Sequence, residues 1–442
     1  MAPAVIPGKL VGLGVGGAVT TDRTPAILDD VRLPGFRPAI VAIFRNEAPY
    51  VLEWLAHHRT IGFSNVYIAD NVSDDGTSEL LAALDRLGYI RRISFPTSEG
   101  QPPQFAAYDR LLREFAHEEE WVALIDADEF ILPLAEHRDV EGALAPLVEQ
   151  GDIGAIALNW ACYGSSWRLN HTSGLVMERF FRRAFQKFGP NYHYKTILRR
   201  SAFERVLQNP HHLELKPGFR YVRMDGEELC PHQKHGQGLS TDVLWHGLRV
   251  NHYLVKSRQE FWENKSPKGR ATLVGGTKGE KYFVGHDKND VGDPIPGWLL
   301  TAVKAEIETL RKALVNDGFQ LPVEPSAPPR FDRPFDSVKA HIDFVEHKDG
   351  LLKVNGWAMH WSGLPPVSLA LEVGGERHVF LGYEHRRRGD VVRSFPMACD
   401  YCGFQLSIPA ADGLLGQDVR LFAGYGAETP FGPFVFARPI AS

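Results

Sequence analysis

Trp121-Val-Ala-Leu-Ile125-Asp126-Ala127-Asp128-Glu129-Phe130 is the stretch on which the reading of this chain turns. Five apolar residues spell a buried strand. The strand then ends abruptly in two carboxylates one residue apart. The pattern upstream explains where they sit. Ala39–Phe44, Asn65–Ala69 and Ile90–Phe95 read as strands, and Tyr50–Ile61, Thr77–Leu87 and Phe105–Phe115 read as helices. Strand and helix alternating at short intervals predict a mostly parallel sheet with covering helices. Ligands of such sheets lie outside the carboxyl ends of the strands. Those ends carry Arg45-Asn46-Glu47, Asp70-Asn71 and Asp126-Ala127-Asp128.

Paired aspartates at a strand end suit a divalent cation with oxygen ligands and open positions for phosphate oxygens. Such a cation neutralises charge on a departing diphosphate. The same letters also fit a solvated acidic turn. A second motif, Asp70-Asn71-Val72-Ser73-Asp74-Asp75-Gly76-Thr77, reads as a tight turn with Thr77 capping the next helix. Its functional reading gives Asp70 the imide N–H of a uracil.

These phrases resemble the GT-A fold glycosyltransferases. Ile43-Phe44-Arg45-Asn46-Glu47-Ala48, the turn through Thr77 and Asp126-Ala127-Asp128-Glu129-Phe130 fall in the order of that class. Tyr163-Gly164-Ser165-Ser166, Met177-Glu178-Arg179-Phe180 and Asn251-His252-Tyr253 through Phe261 to Lys265 are similar to a bacterial, family-2-like subgroup related to glycosyltransferase family ninety-two. The resemblance spans roughly residues 38 to 270. It implies an inverting, Mn²⁺- or Mg²⁺-dependent transfer of a hexose from UDP-galactose or a similar UDP-sugar to a glycan or glycolipid acceptor in surface glycan synthesis.

By this likeness Asp128 is the direct metal ligand, Asp126 assists at the metal or ribose, and His252 is the third protein ligand. His211 and His212 compete for that last role. Glu178 is the expected base, with Asp242 and Glu129 as alternatives. Lys256 is expected to assist the leaving group, and Lys265 and Arg270 to reach the diphosphate from a Gly-rich segment. Arg45 and Glu47 are expected to frame the nucleotide, although Glu47 also reads as a helix N-terminal acid. Tyr163, Ser165 and Trp167 are expected to meet the acceptor, with Trp160 beside them. Trp167 stands where the subgroup pattern has Gly, which bears on acceptor preference.

The remaining chain sets the frame. With 442 residues, two domains are expected. The 44% hydrophobic content excludes wholesale disorder, and a net charge of -5 argues against nucleic acid as the main partner. Residues 1–36 read as a loose tail without the charge pattern of a signal peptide, 37–315 as the catalytic domain and 316–335 as a Pro-rich linker. Residues 336–442 hold short strands separated by Gly, Pro or Asp, an all-β sandwich. No apolar run reaches the roughly 20 residues of a membrane span. Four cysteines form no disulfide framework, and both facts suit the cytoplasm or the inner membrane face. The sandwich is a candidate for binding acceptor, through Trp357 or Trp361, or for pairing subunits.

Gly12-Leu-Gly14-Val-Gly16-Gly17 matches a dinucleotide fingerprint by letter only, since no strand and helix flank it. Arg386-Arg387-Arg388 reads as a solvated run. A sugar nucleotidyltransferase, a glycoside hydrolase built on Asp126 and Asp128, and a non-catalytic carbohydrate-binding protein are the competing functions. Against the first, no Gly-rich nucleotide loop follows Ala39. Against the second, the two aspartates leave one strand instead of flanking a cleft.

Overall fold

A computed structural model describes residues 37–440, apart from 64, 97–101, 136, 208, 235, 269–277, 322–337, 361–364, 367, 382, 396–397, 410–413, 415 and 425–434. The tail, most of the linker, Arg270 and Trp361 therefore lie outside the described residues.

The chain opens with β1 (Ala39–Phe44), α1 (Val51–Thr60), β2 (Val66–Asp70), α2 (Thr77–Arg86), β3 (Arg91–Ser94), α3 (Pro103–Arg110) and β4 (Trp121–Leu124). These are the expected elements, with boundaries moved by a residue or two, except that α3 passes at Leu111 into a π-helical turn that runs to Phe115. Strands β1, β2 and β3 pair in parallel, and β4 joins β1 in parallel on the other side. β1 is apolar on both faces because helices cover both, the burial pattern of a parallel sheet.

The next elements build the half of the site that local pattern does not show. They are β5 (Glu129–Pro133), α4 (Val140–Val148), β6 (Ile153–Tyr163), β7 (Tyr194–Arg199), β8 (Arg220–Arg223) and β9 (Leu248–Tyr253). β7 is antiparallel to both β4 and β6, so the sheet order runs β6-β7-β4-β1-β2-β3. β8 pairs in parallel with the first half of β6. β9 lies between β5 and the second half of β6, antiparallel to the first and parallel to the second. That insertion puts His252 in register with Glu129 on one side and Cys162 on the other. A long helix, α5 (Gly297–Asn316), packs along α1 with Leu299, Val303, Ile307, Leu310 and Leu314 inward.

The C-terminal region holds two β-sheets and, in addition, a short helix at Gly389–Ser394. Its strands are β10 (Val338–Lys348), β11 (Leu351–His360), β12 (Ser368–Val373), β13 (Glu376–Phe380), β14 (His385–Arg386), β15 (Gly403–Pro409), β16 (Asp418–Gly424) and β17 (Phe436–Pro439). Two antiparallel sheets form, ordered β10-β11-β15-β14 and β13-β12-β16-β17. Val354, Leu406, Leu371 and Leu421 from both sheets share one core. At about 25 cal/mol per Å² of apolar surface, this burial holds the sheets together. Among the described residues, no helix is long and apolar enough to cross a membrane.

Candidate active site

Backbone strain marks the carboxyl edge of the sheet. Asn46 follows β1, Val72 follows β2, Ser166 and Trp167 follow β6, and Lys256 follows β9, all with positive φ. Val72, at φ 46°, is a β-branched residue in the left-handed region, where its side chain is sterically disfavoured. Non-glycine residues hold such conformations only where surrounding structure compels them.

Side chains of the second loop hold the first in place. Ser73 Oγ accepts from Asn46 N at 3.0 Å, Thr77 Oγ1 from Glu47 N at 2.8 Å and Asp75 Oδ2 from Ala48 N at 3.0 Å. Thr77 thus ties the β1 loop down, and Gly76, not Thr77, occupies the N-cap of α2. Asp70 is buried and already paired. Its Oδ2 takes both Arg92 Nε and Nη2, at 2.9 and 2.6 Å, and its Oδ1 accepts from Ser78 Oγ at 2.9 Å. Arg45 is exposed at the rim. Glu47 pairs with Lys268 at 2.7 Å.

The acidic turn after β4 is clamped from α1. Trp54 Nε1 donates to the carbonyls of Asp126 and Glu129, at 3.1 and 2.9 Å. His57 Nε2 meets Ile131 O at 2.6 Å, and His58 Nε2 accepts from Ile131 N at 3.2 Å. α1 therefore fixes the strand that carries Glu129.

The two aspartates differ. Asp126 is 28% exposed at its side chain. Its Oδ1 accepts from Gln104 Nε2 at 2.6 Å and Tyr108 OH at 2.8 Å, and its Oδ2 meets Lys195 Nζ at 2.9 Å. Lys195, fully buried on β7, also lies 3.3 Å from Glu129 Oε2. This internal cation explains how three acids can crowd one turn, since a buried charge needs a partner. Sequence reading missed it. The available signal was a lysine inside the apolar strand Tyr194–Leu198, a place where Lys is seldom found.

Asp128 faces His252, with Oδ1 3.4 Å from Nε2, and its Oδ2 pairs with Lys265 Nζ. Burial acts to raise the Asp128 carboxyl, but Lys265 and His252 outweigh it and hold it well below the usual range. Burial pushes His252 down to about 4 against the pull of Asp128, so the imidazole is neutral and fit to ligate. Its Nδ1 lies 3.6 Å from Glu129 Oε1, and neither atom has a hydrogen-bond partner. Burial pushes Glu129 up to about 8 against Lys195. Trp160 packs edge-on against His252, with ring centroids 4.3 Å apart.

Cations converge from β9 and the segment after it. Lys256 is buried, its Nζ 4.1 Å from the Tyr50 ring centre, and burial lowers it against the opposing fields of Glu47 and Asp128. Lys265 and Lys268 lie within the same field. The structure thus gathers Asp126, Asp128, His252, Lys256, Lys265 and Glu47, and adds Lys195 and Lys268.

Other expected residues stand elsewhere. Glu178 pairs with Lys304 of α5 at 2.6 Å and accepts from Leu175 N, and neither partner belongs to the acidic turn. Its half-exposed position on a single helical turn makes an ordinary surface ion pair. Two buried carboxylates stand in that neighbourhood: Glu260, paired with Arg179, and Glu53, which accepts from Val176 N and Met177 N at 2.7 and 3.0 Å and is pushed by burial up to about 7. Asp242 is exposed and paired with Arg223. His211 packs on Trp160 and His193, and His212 meets Tyr194 OH.

The acceptor trio is not a surface. Tyr163 is buried, donating to Asp293 O and accepting from Arg249. Ser165 is buried against Asp287. Trp167, 3% exposed, stacks on His385 of β14 at 3.5 Å and joins the sandwich core. With Leu169 it carries the segment after β6 into that core. Buried there, it offers no face on which an acceptor could stack.

A divalent cation fits this edge. Asp128 and the neutral His252 supply an oxygen and a nitrogen, and the partnerless Glu129 Oε1 and His252 Nδ1 stand behind them. Among the described residues, no three His, Cys, Asp or Glu side chains are arranged to hold a metal alone. A cation held by Asp128 and His252 would leave its remaining positions to substrate oxygens and water.

Residues 41–216 match the profile of glycosyltransferase family 92. A glycosyltransferase family 92 protein of Oryza sativa subsp. japonica is 29% identical over 252 residues, 56% of this chain and 38% of that relative. One of Ricinus communis is 28% identical over 240 residues, 52% and 40% of the two chains. One of Arabidopsis thaliana is 27% identical over 241 residues, again 52% and 40%. The chain thus spans well under half the length of the curated relatives it matches. Asp126, Asp128 and Lys195 lie inside the matched span, whereas His252, Lys256 and Lys265 lie beyond it. Over the region that carries the acidic sheet edge, the chain is thus similar to glycosyltransferase family 92.

Proposed function

We propose that the protein is a glycosyltransferase that moves a hexosyl group from a UDP-linked donor to a saccharide hydroxyl, with inversion and with Mn²⁺ or Mg²⁺. One observation carries this reading. Asp128 and His252, far apart in the chain, meet at 3.4 Å on a sheet edge where lysines converge. An acid and a neutral imidazole facing lysines suit a diphosphate held through a cation, which glycoside hydrolysis does not need.

Bound there, the cation would neutralise charge on the diphosphate leaving group. The chain's own groups supply the rest. Lys256, Lys265 and Lys268 add positive charge at a water-poor edge, where each is worth more than in solvent. Donor binding transfers Lys265 from Asp128 to phosphate oxygens. Lys195, Gln104 and Tyr108 hold Asp126 in one orientation, and Asp126 keeps its exposed side for the donor's ribose. Inversion requires the acceptor oxygen to attack opposite the diphosphate while a carboxylate takes its proton.

A panel of UDP- and GDP-sugars tests the reading. Mn²⁺-dependent nucleotide release from one donor is expected, lost with EDTA and in Asp128→Ala. Release that persists in Asp128→Ala, or cleavage of a free glycan without nucleotide, would sink it.

A further inference from the structure

A cavity of about 610 Å³ opens behind Tyr50, and none of Asp126, Asp128 and His252 lines it. Its walls come from the loop after β1, the N-terminal turn of α1, residues 171–179, residues 260–264 and the inner face of α5. Tyr50 is the shared wall. Its ring carries the Lys256 ammonium at 4.1 Å, and its hydroxyl donates to Glu260 Oε1 at 3.0 Å inside the cavity. Glu53, also in the wall, lies close enough to Lys256 to feel its charge.

The lining differs in sign from the donor side. Glu53, Asp75, Glu260 and Glu263 face two guanidiniums, Arg179 and Arg311. Arg179 is already spent on a bidentate pair with Glu260, at 2.9 Å to both oxygens. An anion entering here meets Asp75, Glu260 and Glu263 against Arg179, which Glu260 already holds, and Arg311, which is exposed on α5. A ligand rich in hydroxyl donors meets the lone pairs these carboxylates keep beyond their bonds within the protein. Leu52, Leu80, Leu175, Ile307 and Leu321 offer an apolar flank for the C–H face of a sugar ring. The volume falls in the range of small-molecule sites.

We infer that this cavity binds the neutral saccharide acceptor, presenting a hydroxyl past Tyr50 toward the lysine-lined donor site. The inference deepens the transferase reading and rests on it for the acceptor's role. It corrects the expectation for Tyr163, Ser165 and Trp167, which are buried elsewhere. It also assigns the selectivity: neutral sugars enter and uronic acids do not.

The test is saturation-transfer NMR on the full chain without donor or metal. The probes are galactose, glucose, N-acetylglucosamine and lactose, with galacturonate as the charged control. The cavity predicts signals from at least one neutral sugar and none from galacturonate. The signals vanish in Ile307→Trp, which fills the cavity, and in Ser173→Trp, at its exposed mouth, should Ile307→Trp not fold. They persist in Asp128→Ala. Equal or stronger galacturonate signals, no neutral-sugar signal, or signals unchanged in a folded plugged variant would overturn the inference. Sugar binding that is blocked by the plugs, in a protein that turns over no nucleotide-sugar, would keep the saccharide site and remove the transferase reading instead.

Discussion

The acidic sheet edge and the C-terminal sandwich are both well buried, yet they are built on opposite principles. At the edge, Asp128, Glu129, Lys195, His252 and Lys256 are withdrawn from water. In the sandwich, the described buried residues are apolar except for His360 and Ser368. Burying charge costs stability unless every charge is paired. A chain that manages an aliphatic core in one region and accepts that cost in another is placing chemistry in the second. The separation predicts that changes at the edge alter turnover and changes in the sandwich alter stability.

The largest effect belongs to Asp128→Ala. Removing the acid that faces His252 should lower nucleotide release by about 10²–10³-fold, the scale of a lost electrostatic stabiliser, a loss larger than the accompanying fall in melting temperature accounts for. Steady-state assays and a thermal melt check both halves. His252→Ala should cost about 10- to 100-fold and raise the Mn²⁺ concentration needed for half-maximal rate. A metal titration that superimposes on the parent would remove His252 from the site.

Leu421→Ala probes the other region. Truncating this core residue should destabilise by about 2–5 kcal/mol, while turnover per folded molecule stays within the error of the parent. A loss of turnover matching that of Asp128→Ala would erase the distinction between the regions.

Acid should act on both regions together. Burial pushes His57, His212 and His360 down to about 4, and His385 to about 3. As pH falls from 6.5, the unfolded chain takes up protons at these positions before the fold does, so stability falls. Glu53 and Glu129, raised by burial to about 7 and 8, work in the opposite direction. The histidines outnumber them, and a net fall in melting temperature between pH 6.5 and 4.5 is expected. A flat profile would show that the glutamates compensate.

Much of this was readable in advance, for reasons that are local. β1 to β4 and their helices follow from apolar period and turn residues, and the sandwich strands from Gly and Pro spacing. Asp128 was legible because an apolar strand led into it. What escaped was long-range. No pattern in Leu248–Tyr253 says that it slides between β5 and β6, the step that delivers His252. Nothing local to Lys195 names the two acids it meets across the sheet. The likeness that points Tyr163 and Trp167 to the acceptor carries no information about what packs on them. Burial against the sandwich and against Arg249 is a tertiary fact. Glu178 was chosen by its place in the order of motifs, and order does not fix which way a side chain points.

Calorimetric titration of Mn²⁺ into the protein with UDP present tests the metal edge itself. Heat from one Mn²⁺ per chain is expected for the parent, and none for the Asp128→Ala/His252→Ala double variant. Equal affinity in the two proteins would contradict the account.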